Sequence, residues 1–136
     1  MQMKPTPSRT CRCAANEAFR HARECMTFGK QLSEFQTVRH KLVEMAMRIQ
    51  AMEAQTGTLI WRVMQGESCV VEIAMPKACC DAAHEWIAAE AAQIFGGASV
   101  LRGHKMERIF HESKILAIGG GNSEVMKDFV SGQLGW

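Results

Sequence analysis

The chain has 136 residues, 47% hydrophobic and 22% charged, with a formal net charge of +2. That is enough for one domain with a sizeable core, and the charge is too balanced for a dedicated nucleic-acid binder or a basic membrane-surface helix. The six cysteines include no CxxC pair and no second pair at zinc spacing, so no metal site is expected. Residues 1–13, with Pro5, Pro7 and scattered Arg, read as a disordered lead ahead of a domain spanning 14–136. MQMKPTPSRT has no apolar stretch for a secretory signal or anchor, and no run is long enough for a membrane span. An intracellular, soluble protein with unpaired cysteines is expected, in the cytoplasm of a bacterium or the mitochondrial matrix of a eukaryote.

From Ala14 to Met26 the sequence is rich in helix formers without internal Gly or Pro, and Thr27-Phe28-Gly29-Lys30 reads as the turn that ends it. Phe35, Val38, Leu42, Met45, Ile49, Met52, Thr56, Leu59 and Val63 then alternate spacings of three and four, a heptad seam on one long helix that needs partners. Ser33 with Gln36 three residues on is a capping-box pattern for its start. Gln65-Gly66-Glu67-Ser68 marks a turn, and a helix over Val70–Phe95 follows, with a kink or fresh start expected at Pro76. Its Ala-rich second half suits close packing, with Cys79 and Cys80 read as core. The ten methionines, with no tyrosine, suit a helical core with irregular gaps. Gly96-Gly97 stops this helix. A short helix at Lys105–Phe110, a glycine loop at Gly119–Gly121 and a last helix from Asn122 to Leu134 complete an all-α, up-and-down four-helix-type bundle. Asp81 with His84, and His40 with Glu44, read as surface pairs, since a di-iron bundle site needs Glu-x-x-His motifs on two helices.

Three clusters stand where helices end or begin: Thr27–Lys30 with Glu34-Phe35-Gln36, Gln93–Gly97, and Ile118–Glu124. Helix N-termini and glycine turns expose N–H groups that suit phosphates. In order and spacing, TFGKQLSEFQ, AAQIFGG, MERIFHESK and AIGGGNSEVM resemble the C-terminal helical domain of the acyl-CoA dehydrogenase family. The resemblance extends over residues 14–134. It implies a flavoprotein oxidoreductase of fatty- or amino-acid catabolism, a homodimer or homotetramer that converts acyl-CoA to enoyl-CoA. FAD would lie between this domain and two others, its ADP end completed by a neighbouring subunit.

By the same resemblance, Thr27, Phe28 and Gln36 match contacts to the ADP part of FAD. Gln93, Gly96 and Gly97 match a second patch on that moiety, and Asn122 and Glu124 match positions near the flavin. Glu107 and Arg108, with His111 and Glu112, match a structural ion-pair segment. The departures are specific. Cys25 stands where an arginine commonly meets the pyrophosphate, a loss of about 1.5–3 kcal/mol of contact energy. Ala98-Ser99 replaces a residue and glycine that usually follow Gly97, and Gly119 replaces a usual tyrosine. Gly120 occupies the position of the catalytic glutamate in many members. Isovaleryl- and long-chain-type members also carry glycine there and place the base on an earlier helix, which would fall ahead of Met1. No catalytic residue is therefore expected in this chain, and FAD binding by it alone is expected to be weak or absent. The alternative reading is a short, non-catalytic paralogue that acts as a helical dimerisation module.

Overall fold

The computed structural model describes residues 6–136, with side chains from Ser8 onward. Five helices form the domain: α1 (Thr6–Glu24), α2 (Gln36–Met64), α3 (Val70–Phe95), α4 (Lys105–Ile118) and α5 (Ser123–Leu134). Two-residue strands β1 (Met26–Thr27) and β2 (Lys30–Gln31) make a small antiparallel hairpin between α1 and α2. The all-α bundle read from the sequence is what the chain adopts. α3 is the central element, packed against α1, α2, α4 and α5.

Helix α1 starts at Thr6, not Ala14, so residues 6–13 belong to the packed domain and only residues 1–5 of the expected lead lie outside the described residues. The physical reason is a stripe of small residues. Cys11, Ala14, Ala18 and Ala22 are each fully buried, at spacings of three and four, and this narrow face lets α1 approach α3 closely. Cys11 lies in that core with Cys80 packed against it, and burial pushes the Cys11 thiol up to about 12.

Helix α2 begins at Gln36, and its N-cap is Phe35, with no side-chain cap bond. The Ser33 capping box is thus corrected. The box belongs to Gln31 and Glu34, around a 3₁₀ turn at Leu32–Glu34, with the Gln31 N–H donating to Glu34 Oε1 at 2.9 Å. Along the heptad seam Met45, Ile49 and Met52 are buried. Val38 and Leu42 are half-buried, and Val63 at the far end is exposed. The seam therefore fills the bundle's middle and leaves an apolar tip, where Trp61, Met64, Val70 and Ile73 all face outward. At that tip Arg62 ties the two helices together, bonding Glu67 at 2.6 Å and Glu72 at 3.2 Å.

Helix α3 spans the expected range and runs unbroken through Pro76, so the fresh start does not occur. Helix α4 is longer than the expected Lys105–Phe110. Its buried stripe of Met106, Ile109, Ser113 and Ala117 keeps helical spacing beyond Phe110, using small residues that give little hydrophobic signal. Fully burying side chains such as Met45, Ile87 and Met106 contributes about 1.5–3 kcal/mol each. Cys79, expected in the core, is exposed, and Cys80 is half-buried. Among the described residues no helix is long and apolar enough to cross a membrane.

Candidate functional site

The hairpin is built on an unusual backbone. Phe28 and Gly29, its two central residues, both have positive φ, 51° and 77°, the signature of the tight turn that suits strand twist. Glycine adopts this freely, whereas phenylalanine pays a steric cost. The strain leaves the Phe28 ring 93% exposed, without packing that would explain the residue. Thr27 pairs with Lys30 across the hairpin, and Lys30 Nζ lies 4.1 Å over the Phe35 ring.

Gln36 opens α2, its Nε2 3.4 Å from His40 Nε2. With neither a side-chain cap nor an acid in its first turn, α2 presents N–H groups and the positive end of its dipole outward. Arg39 adds a cation nearby, donating to the Glu34 carbonyl at 2.8 Å. Cys25 is half-buried and its carbonyl accepts from the Leu32 N–H at 3.0 Å, so the base of the hairpin closes without an arginine there.

The Gln93–Gly97 segment reaches the same end because α3 runs parallel to α1. Phe95 stacks on His21 of α1, centroids 4.3 Å apart, and meets the edge of His104 at 5.2 Å. His104 in turn caps α4, its Nδ1 accepting from the Met106 N–H at 3.2 Å. Gly96 has φ 61° and Gly97 is exposed beside it. Thr27, Phe28, Gln36, Gln93, Gly96 and Gly97 therefore share one end of the bundle. The His21–Phe95–His104 stack that fixes this end has no sequence signature, because its members come from three separate segments.

Asn122 and Glu124 lie at the opposite end. The stretch of α3 from Lys77, which underlies Gly120, to Phe95 separates the two ends by about 27 Å. Asn122 caps α5, its Oδ1 accepting from the Val125 N–H at 3.0 Å, and Glu124 adds an acid to that first turn. Gly120 and Gly121 have φ +76° and +101°, a backbone that L side chains rarely adopt.

Between the ends runs a polar seam of α3 against α4. Asp81 and His84, expected on the surface, are 5% and 2% exposed, which corrects that reading. Burial raises the Asp81 carboxyl pKa despite its bond from Lys77, and burial lowers that of His84, whose Nε2 is enclosed without a hydrogen-bond partner. His40 and Glu44 do lie outside the core, and Glu44 pairs with Arg48 at 2.8 Å. Along α4, His111 Nδ1 lies 3.1 Å from Glu107 Oε1, and Arg108 forms an ion pair with Glu112 at 3.5 Å. Among the described residues no group of three or more His, Cys, Asp or Glu could hold a metal. Two open grooves of about 560 and 450 Å³ flank the first half of α3 and share Met75 and Cys79; none of the eight expected cofactor residues lines either, although Met126 of the second follows closely on Asn122 and Glu124.

Comparison with known proteins agrees with this architecture. A family model of the acyl-CoA dehydrogenase C-terminal domain matches residues 6–135. Subunit CarC of the caffeyl-CoA reductase-Etf complex from Acetobacterium woodii is 27% identical over 121 residues, 89% of this chain and 32% of CarC. A probable acyl-CoA dehydrogenase from Mycobacterium abscessus superposes with a TM-score of 0.90 at 35% identity, over 94% of this chain and 34% of that one. Butyryl-CoA dehydrogenase from Megasphaera elsdenii does so with a TM-score of 0.90 at 26% identity, over 96% and 34%. The chain spans about a third of the length of these relatives. With its bundle, its hairpin and its glycine loop in the family's order, the chain belongs to the acyl-CoA dehydrogenase family, as a C-terminal domain.

Proposed function

We propose that the chain supplies two flavin-facing surfaces to an FAD-dependent acyl-CoA dehydrogenase, one at each end of the bundle. The observation that carries this is the division of the eight matched residues between ends about 27 Å apart along α3. The hairpin end, with Thr27, Phe28, Gln36, Gln93, Gly96 and Gly97, takes the ADP part of the FAD of a neighbouring subunit. The loop end, with Asn122 and Glu124, faces the flavin of its own subunit. FAD would supply the hydride acceptor for α,β-dehydrogenation of an acyl-CoA. The residues here bind and orient.

The hairpin end fits such a group. A helix start with no side-chain cap and no acid in its first turn, flanked by Lys30 and Arg39, suits a pyrophosphate, and an exposed ring on a rigid turn suits an adenine. Lys30 and Arg39 offer the positive charge that Cys25 lacks. Gly120 has no proton-accepting group, so this loop shapes the site and removal of the α-proton falls to a carboxylate elsewhere. The exposed tip of Trp61, Met64, Val70 and Ile73 supports self-association into a homodimer or homotetramer. Lack of a base at Gly120, together with that tip, also supports a second reading, a non-catalytic helical interaction module.

Amide chemical shifts followed during titration with millimolar ADP, then FAD, test the proposal. ADP is expected to move the amides of 27–36 and 93–97 alone, and Gln36→Ala to weaken the response several-fold. Hairpin-end amides that stay unmoved by both ligands, even when the other two domains of the enzyme are added in trans, would sink the flavin reading and leave the interaction module.

A further inference from the structure

The Gly119–Gly121 loop carries no side chain, and three consecutive glycines have more backbone freedom than any other sequence. It is nevertheless held in a defined shape, and the holding group lies on another helix. Lys77 Nζ donates to the Leu116 carbonyl at 3.1 Å, one of the last-turn carbonyls that α4 cannot satisfy within itself. The same ammonium pairs with Asp81, one turn along α3. The lysine stem passes beneath the loop, since a Cβ placed on Gly120 would sit 3.8 Å from Lys77 Cε. Directly above, the Gly119 N–H closes α4 on Ile115 O at 2.8 Å.

Asp81 is the telling partner. A lysine that merely capped α4 would need no buried carboxylate, and burying one is costly unless it is paired. Asp81 is 5% exposed, and desolvation outweighs the Lys77 bond in raising its carboxyl pKa. The carboxylate holds the ammonium at one point of the α3–α4 seam, from which it reaches Leu116. Removing Lys77 leaves a buried carboxylate without its cation, and removing Asp81 leaves the ammonium with only the Leu116 carbonyl.

We propose that Lys77 and Asp81 form a positioning latch: together they fix the C-terminus of α4 and the path of Gly119–Gly121, and so set where Asn122 and Glu124 point. The importance of that path for cofactor binding rests on the flavin reading above, whereas the latch itself does not. Lys77 and Asp81 act through the loop and touch no cofactor.

Hydrogen exchange on the full chain tests it, comparing Lys77→Met, Asp81→Asn and Lys77→Arg with the parent. In the first two variants the Gly119, Val125 and Met126 amides are expected to exchange at least about tenfold faster, with the hairpin amides of 26–31 unchanged. Lys77→Arg keeps the cation and is expected to restore protection. Near-isosteric Asp81→Asn carries the same comparison should Lys77→Met prove too unstable to purify. Equal acceleration at both ends, or no change at the loop, would overturn the latch in favour of a merely global contribution. FAD titration separates the two claims. Loop protection that depends on the pair, in a chain whose amides FAD does not move even with the other two domains added in trans, keeps the latch and removes the flavin reading.

Discussion

The two ends of the bundle present helix starts of opposite character. At the hairpin end α2 opens without a cap or an acid, beneath a strained turn whose aromatic is 93% exposed. At the loop end α5 opens with Asn122 as cap and Glu124 in its first turn, after glycines that the backbone requires. Each start satisfies its third N–H, Val38 on the Phe35 carbonyl and Val125 on Asn122, but only the loop end sets a carboxylate, Glu124, against its helix dipole. The difference teaches where an anion belongs: a pyrophosphate suits the hairpin end, and the loop end is organised for position. It also predicts that substitutions at the loop end chiefly cost stability, whereas those at the hairpin end chiefly cost binding.

The largest expected effect is Gly121→Ala. The new Cβ would meet the Met126 methyl at φ +101°, so unfolding in urea should show a loss of roughly 2 kcal/mol. A change under a few tenths would mean that the loop is not held as described, and would erase the contrast between the ends.

A second test uses the seam that joins them. Burial lowers the His84 pKa below that of a free imidazole, and the unfolded chain therefore binds the extra proton first as pH falls. Stability should then be full at pH 7 and drop as pH falls below about 6.5, the unfolded value, by up to about 1 kcal/mol at pH 5.5. Asp81, Glu85 and Glu112 oppose this by favouring the protonated ring. His84→Gln should flatten the slope between pH 7 and 5.5, and an unchanged slope would place the acid sensitivity elsewhere.

The smallest stability effect is the most discriminating. Phe28→Asn replaces a residue strained at φ 51° by one that tolerates that region, so thermal unfolding should shift slightly upward, by a few tenths of a kcal/mol. The same variant should lose ADP-induced shifts at the hairpin end. Greater stability with undiminished binding would show that the exposed ring is not the contact that its geometry suggests.

The sequence by itself determined the helical class, the ranges of α2 and α3, and the glycine positions. Periodic apolar residues and chain-breaking glycines act locally, so spacing reveals them. It also supplied the eight matched residues, through ordered motifs at helix ends. It did not reveal that α1 starts at Thr6 or that α4 runs to Ile118, because both buried stripes rely on Ala, Ser and Cys, whose small side chains give weak periodicity. Only the tertiary structure decided that the matched residues divide between two ends. Only it, too, brought His21, Phe95 and His104 into one stack and set Lys77 beneath the loop, on the Leu116 carbonyl. Those relations join residues far apart in the chain, and the packing of α3 against its neighbours creates them.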